Sequence, residues 1–187
     1  RGEKTVPLSV NVSRVSAIQE DFVSYYISVK EKYNIPNDYI TLECTESFAM
    51  ENISTLSKIV ADVRNNGFKC SIDDFGVGYS SISVLKELEV DELKLDKTFL
   101  NPGKTPEKDK ILISTIIELG KNFKMKVVQE GIETFEELNS MKDLGCDVIQ
   151  GFYYSKPLMM SDFIEFINRD TSFRSIAEFH KKQLEKK

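Results

Sequence analysis

Asp73 and Asp74 stand side by side where an apolar run, "CSIDDF", comes to an end, and a loop with two glycines and a serine pair, "GVGYSS", follows. Neighbouring carboxylates repel, and each disfavours ionisation of the other. Asp and Ser are also common turn and cap residues, so this stretch alone is ambiguous. Other polar residues fall at comparable points along the chain: Asn11, Glu43, Lys94, Asp96, Glu130 and Gln150. Clustered carboxylates become tolerable beside a divalent cation, and an amide oxygen such as that of Asn11 is a neutral hard ligand. Such a cation lowers the pKa of bound water and polarises a phosphoryl oxygen, and a lysine can orient that water or stabilise charge at phosphorus. The chemistry that suits this set is metal-dependent hydrolysis.

Six short apolar runs must position these residues: 7–12, 39–44, 69–73, 92–96, 126–130 and 147–151. Between them the helical period predicts helices at roughly 14–33, 48–65, 80–88, 106–122, 134–144 and 160–169. Ser13, Ser47 and Thr134 are expected to start helices; the "NNG" at 65–67, Gly120 and Gly145 are expected to stop them. Ile53, Leu56, Val60 and Val63 give the second helix one apolar face. Strand and helix alternate without a hairpin signal, so the strands should be parallel and joined by crossovers. Either a doubly wound sheet or a (β/α) barrel fits, and the first strand lacks a Gly-rich phosphate loop after it.

Strand phase favours the barrel. Ser9 and Asn11, Thr41 and Glu43, Ser71 and Asp73, and Glu92, Lys94 and Asp96 each share a side, as do Val128 and Glu130, and Val148 and Gln150. The apolar side should pack on outer helices, leaving a polar lining inside. Barrel interiors are normally filled by branched apolar residues, so this lining is costly unless its groups pair or bind something. The polar residues gather towards the C-terminal strand ends, where barrel enzymes carry their sites.

Composition narrows the field. The 187 residues are 41% hydrophobic and 29% charged, enough for one domain with a real core. No apolar run is long enough to span a membrane. A net charge of −5 disfavours a nucleic-acid polymer as partner. The single histidine, His180, lies in a charged tail, which disfavours histidine catalysis and histidine-rich zinc sites. Cys44, Cys70 and Cys146 sit in or beside apolar runs and read as buried thiols of a reducing compartment, so a cytoplasmic location is expected.

Six segments, "SVNVS", "LECTES", "IDDFGVGYSS", "DELKLDKTF", "VVQEGIET" and "IQGFYYSKP", follow the order and spacing of the EAL-domain family, bacterial phosphodiesterases of cyclic di-GMP. The resemblance runs from Ser9 to about Pro157 and implies a modified (β/α)8 TIM-like barrel, with about its last six βα units in this chain. It implies hydrolysis of cyclic di-GMP to linear pGpG with Mg²⁺ or Mn²⁺, two ions in all, and inhibition by Ca²⁺. Asn11, Glu43 and Asp73 resemble metal ligands, and Asp74 resembles the carboxylate of a second metal site. Lys94 resembles the lysine that contacts the attacking water, and Glu130 the glutamate that serves as base or metal-site carboxylate. Asp96, Glu133 and Gln150 resemble supporting residues, and Glu46 the anchor of the following loop. That loop, Phe75, Gly76, Gly78, Tyr79, Ser80 and Ser81, is implied in metal, substrate and dimer contacts, with Val77 where threonine is common.

The family's Glu-X-Leu motif on an early strand is not found in this sequence. Residues 1–187 are therefore expected to be an EAL domain without its first strands, inactive alone, with 171–187 as a terminal helix or tail. The resemblance implies a homodimer and an upstream GGDEF or sensor domain in a longer protein, with a possible membrane anchor there. A degenerate domain that binds cyclic di-GMP or a protein partner without turnover is the alternative.

Overall fold

A computed structural model describes residues 5–77, 82–100 and 106–168. Six strands form one sheet in sequence order: β1 (Leu8–Asn11), β2 (Ile40–Thr45), β3 (Lys69–Phe75), β4 (Glu92–Leu95), β5 (Lys126–Gln129) and β6 (Val148–Ile149). Every neighbouring pair is parallel. The helices are α1 (Arg14–Ala17), α2 (Phe22–Lys32), α3 (Glu46–Glu51), α4 (Ile53–Asn65), α5 (Ile82–Glu87), α6 (Pro106–Asn122), α7 (Phe135–Asp143) and α8 (Met160–Asn168). A 3₁₀ turn, Lys97–Leu100, follows β4. The curled parallel sheet with its helices is the partial TIM-like barrel expected, and β1 and β6 are its edges among the described residues.

The helix-facing side of the sheet makes the core. Leu42, Cys70, Ile72, Leu93, Leu95 and Val127 are buried there against Leu56, Val60 and Val63 of α4 and Ile113 and Ile117 of α6. A fully buried leucine contributes about 2–3 kcal/mol, so this face holds the strands in phase. The opposite side is polar yet also closed to solvent: Thr41, Glu43, Ser71 and Lys94 are all at most 6% exposed.

Several helix boundaries differ from expectation. The span 14–33 is two helices, because α1 ends at its C-cap Ile18 and α2 starts after Asp21. The span 48–65 starts earlier, at Glu46, and breaks at Asn52. Its N-cap is Thr45, whose side chain accepts from the Phe48 N–H, and not Ser47. Gly120 does not stop α6; it lies inside the helix, where a Cβ would come within 2.5 Å of Val127 Cγ2. Gly120 therefore serves close helix–strand approach. Ser13 and Thr134 cap as expected, and Gly67 and Gly145 follow helix ends with positive φ. His180, the tail 171–187 and loop residues Gly78, Tyr79, Ser80 and Ser81 lie outside the described residues. Among the described residues no helix is long and apolar enough to cross a membrane.

Candidate active site

Parallel register sets Glu43 of β2 opposite Ser71 of β3, so Asp73 lies one same-side position further along. Lys94 enters from β4, and Glu130 directly follows β5. The Lys94 ammonium, 5% exposed, meets all three carboxylates: Glu43 Oε2 at 3.0 Å, Asp73 Oδ1 at 3.0 Å and Glu130 Oε1 at 2.8 Å. Burial by itself would favour the neutral amine, but donation to Glu130, Asp73 and Glu43 reverses this and holds Lys94 protonated. One ammonium is shared among three carboxylates. Burial therefore still leaves the Glu130 carboxyl above its usual range, with Lys94 opposing and Asp73 and Glu43 adding to the rise.

Asp74 joins this group through a break in strand alternation. In a regular strand, neighbours point to opposite faces. Between β3 and β4 the register shifts: Ile72 pairs with Leu93 and Phe75 with Leu95, three steps against two. The extra residue is a β-bulge. Asp74 takes φ 55°, the left-handed region that Asp tolerates better than most residues, and its N–H donates to Asp73 Oδ1 at 3.0 Å. As a result carboxylate oxygens of Asp73, Asp74 and Glu130 all lie within 4.8 Å of one another and could hold one cation. Burial, Asp73 and Asp96 together push the Asp74 carboxyl up, against Lys94.

The loop after the pair is tied at its start. Phe75 is buried, and the Gly76 N–H donates to Oε2 of Glu46 at 3.1 Å, with Glu46 itself only 4% exposed in the first turn of α3. Val77 is exposed. Asp96 is outside the Lys94 group; it accepts from the Thr98 N–H at 2.8 Å. Burial works against its ionisation, but bonds from Thr98 and Lys97 outweigh this and lower its pKa.

Three other expected residues sit at the margin. Asn11 is exposed on edge strand β1, opposite Glu43 in register. Glu133 is exposed, and its N–H donates to Glu137 Oε2 at 2.8 Å. Gln150 is exposed, and its backbone joins Gln129 to Ile132. Sequence reasoning missed Gln129, which is wholly buried. Its Nε2 donates to the carbonyls of Leu95, Asp96 and Glu130 at 3.3, 3.2 and 3.0 Å, tying the end of β4 to that of β5. A glutamine in the helix-facing phase, shared with buried Val127, was the available signal.

The EAL domain model matches residues 1–157. The chain belongs to the EAL domain family. The EAL domain of Mycobacterium smegmatis DcpA is 34% identical, with a TM-score of 0.78 over 85% of this chain and 71% of that one. MucR of Pseudomonas aeruginosa, a bifunctional diguanylate cyclase and cyclic di-GMP phosphodiesterase, is 33% identical over 151 residues, which are 81% of this chain and 22% of MucR. The MucR phosphodiesterase solved with cyclic di-GMP gives 32% identity and a TM-score of 0.77, over 84% of this chain and 64% of that one. Klebsiella pneumoniae BlrP1, solved with manganese and cyclic di-GMP, is 26% identical with a TM-score of 0.75, over 81% of this EAL chain and 39% of BlrP1. This chain spans about a fifth of the length of the curated relatives it matches.

Proposed function

We propose that this EAL domain hydrolyses one phosphodiester bond of cyclic di-GMP to give linear pGpG, with Mg²⁺ or Mn²⁺ and with inhibition by Ca²⁺. The observation that carries the reading is the convergence of Glu43, Asp73 and Glu130 on one buried ammonium, with Asp74 beside them. Four carboxylates against one lysine leave a negative excess that runs from buried Glu43 out to exposed Asp74, and a divalent cation would offset it. Every donor is a hard oxygen, which suits Mg²⁺, Mn²⁺ or Ca²⁺ and not a soft metal. Asp73, Asp74 and Glu130 would hold the ion, and the family resemblance adds Asn11 and Glu43 to the set and a second ion. BlrP1 solved with manganese, and also with calcium, supports this fit.

When bound, the ions lower the pKa of water and polarise the phosphoryl oxygen. The protein's own part is positional and protonic. Lys94 holds Glu130 through Oε1 and so positions that carboxylate beside the Asp73–Asp74 pair, where it would take the proton of the attacking water. The water oxygen bonds to phosphorus as the bond to the leaving ribose oxygen breaks, and that oxygen takes up a proton from solvent to become the free hydroxyl of pGpG. Lys94 adds positive charge where the phosphoryl group becomes more negative. MucR, which joins both activities in one protein, supports a GGDEF domain as an upstream partner. The reading also takes in a homodimer and a cytoplasmic site of action.

The test is incubation of the full-length, metal-loaded protein with cyclic di-GMP, with products resolved by chromatography. Appearance of pGpG with Mg²⁺ or Mn²⁺, and its suppression by Ca²⁺, is the expected outcome. Binding without turnover would replace this reading with that of a nucleotide receptor.

A further inference from the structure

We infer that Phe99 is a positioning residue for the Asp73–Asp74 pair, acting through Gly76. Phe99 lies in the 3₁₀ turn, and its hydrocarbon ring cannot itself ligate a cation. Its ring occupies the space that a side chain at Gly76 would need. A Cβ built on Gly76 would lie 2.1 Å from Phe99 Cε2 and 2.4 Å from Cζ. Gly76 has φ 101°, a conformation open to glycine and strained for other residues. The ring therefore rests directly on the backbone two residues beyond Asp74.

The backing matters because Asp74 is in the left-handed region beside a bulge. Such a conformation persists only when its surroundings over-determine it. On one side, Glu46 receives the Gly76 N–H. On the other, Phe99 blocks retreat of the same peptide. The turn that carries Phe99 is itself anchored: the Asp96 carbonyl accepts from the Phe99 N–H at 3.2 Å and from Gln129 Nε2 at 3.2 Å. At the turn's start, Lys97 makes a matching contact with the loop after β5. A Cβ on Gly131, which follows Glu130, would lie 2.4 Å from Lys97 Cβ. One four-residue turn thus braces the backbone behind both Asp74 and Glu130.

Phe99 also has room to leave. It borders a cavity of about 150 Å³ lined by Leu100, Ile113 and Met141 among others. A smaller side chain would free the loop to relax towards that space.

This inference rests on the reading of Asp73, Asp74 and Glu130 as a cation site, and its test separates the two. Mn²⁺ binding to the full-length protein is measured by calorimetry for wild type, F99A, F99L and I113A, each first checked by thermal melting. Ile113 lines the same cavity without backing Gly76 in the manner of Phe99, so I113A reports the effect of core loss alone. F99A should weaken Mn²⁺ affinity by about tenfold, in the range of supporting residues around a metal, and F99L by about threefold, because a branched chain cannot lie flat on Gly76. I113A should stay within about twofold of wild type. If F99A does not fold, F99L decides. Wild-type affinity in F99L, or an equal loss in I113A, would overturn the role of Phe99. Absence of Mn²⁺ binding by the wild type would overturn the cation site itself, and the role of Phe99 with it.

Discussion

Lys94→Met tests whether one ammonium holds the site together. Glu43 Oε2, Asp73 Oδ1 and Glu130 Oε1 each lie 3.0 Å or less from Nζ, so any two of them are at most about 6 Å apart. At an effective dielectric constant of about 20, two like charges at that separation repel by about 3 kcal/mol. Three such pairs would exceed the stability of many domains, so protonation or entry of water must relieve part of the repulsion. Removing one partner from a buried ionic group costs about 3–5 kcal/mol after such relief, and that is the loss expected here. For a chain of this size it corresponds to a fall in melting temperature of roughly 10 °C. Urea unfolding at neutral pH with a chelator present measures it, with Lys58→Met at an exposed position as the control, expected within about 0.5 kcal/mol of wild type. Mn²⁺ should recover part of the loss, since a bound cation replaces the missing positive charge and stabilises whichever state binds it. A loss below about 1 kcal/mol, or one no larger than that of the Lys58 variant, would show that the three carboxylates do not depend on Lys94.

Further outcomes follow from the same geometry. Glu130→Gln keeps the shape but not the basicity, so single-turnover hydrolysis should fall about 100-fold or more while calorimetric affinity for cyclic di-GMP changes far less; near-normal turnover would assign Glu130 a merely structural place. Glu92 is pushed upward by burial, against the pull of Lys69 and Lys126, so its charged form costs stability. That cost is full above its folded pKa and fades as pH falls towards the unfolded value, so Glu92→Gln should be more stable than wild type at pH 7, with the gain lost as pH falls through the unfolded value; a pH series of urea midpoints reads this. Thr134→Ala removes half of the Thr134–Glu137 capping box of α7 and should cost about 1 kcal/mol. Burial opposes ionisation of Glu137, but bonds from the Glu133 and Thr134 backbones and the Thr134 side chain lower its pKa, so its own contribution should be present above the unfolded pKa and lost as pH falls through the folded one. Comparing melting curves of Glu137→Gln and wild type from pH 7 to pH 3 checks that sign.

Local pattern carried the architecture. Alternation in "YITLEC" and "KCSID", helical spacing of Leu56, Val60 and Val63, and turn residues such as Gly67 and Gly145 are decided within about ten residues, because backbone sterics and one-sided burial act over that range. The same phase showed that Glu43, Asp73 and Lys94 share the inner side, and the order of six motifs pointed to the EAL family. Alternation could not show that Asp73 and Asp74 serve one site, because it sends neighbours to opposite faces. Only pairing with β4 creates the bulge that turns Asp74 back. Nor could spacing show that Lys94 meets Glu43, 51 residues away, while Asp96, two residues on, bonds to Thr98 instead. Gln129 and Phe99 lay unnoticed for the same reason: what each does depends on the backbone of another strand or loop brought alongside it. Partners distant in sequence are chosen by strand register and close packing, and these exist only once the sheet and its helices have come together.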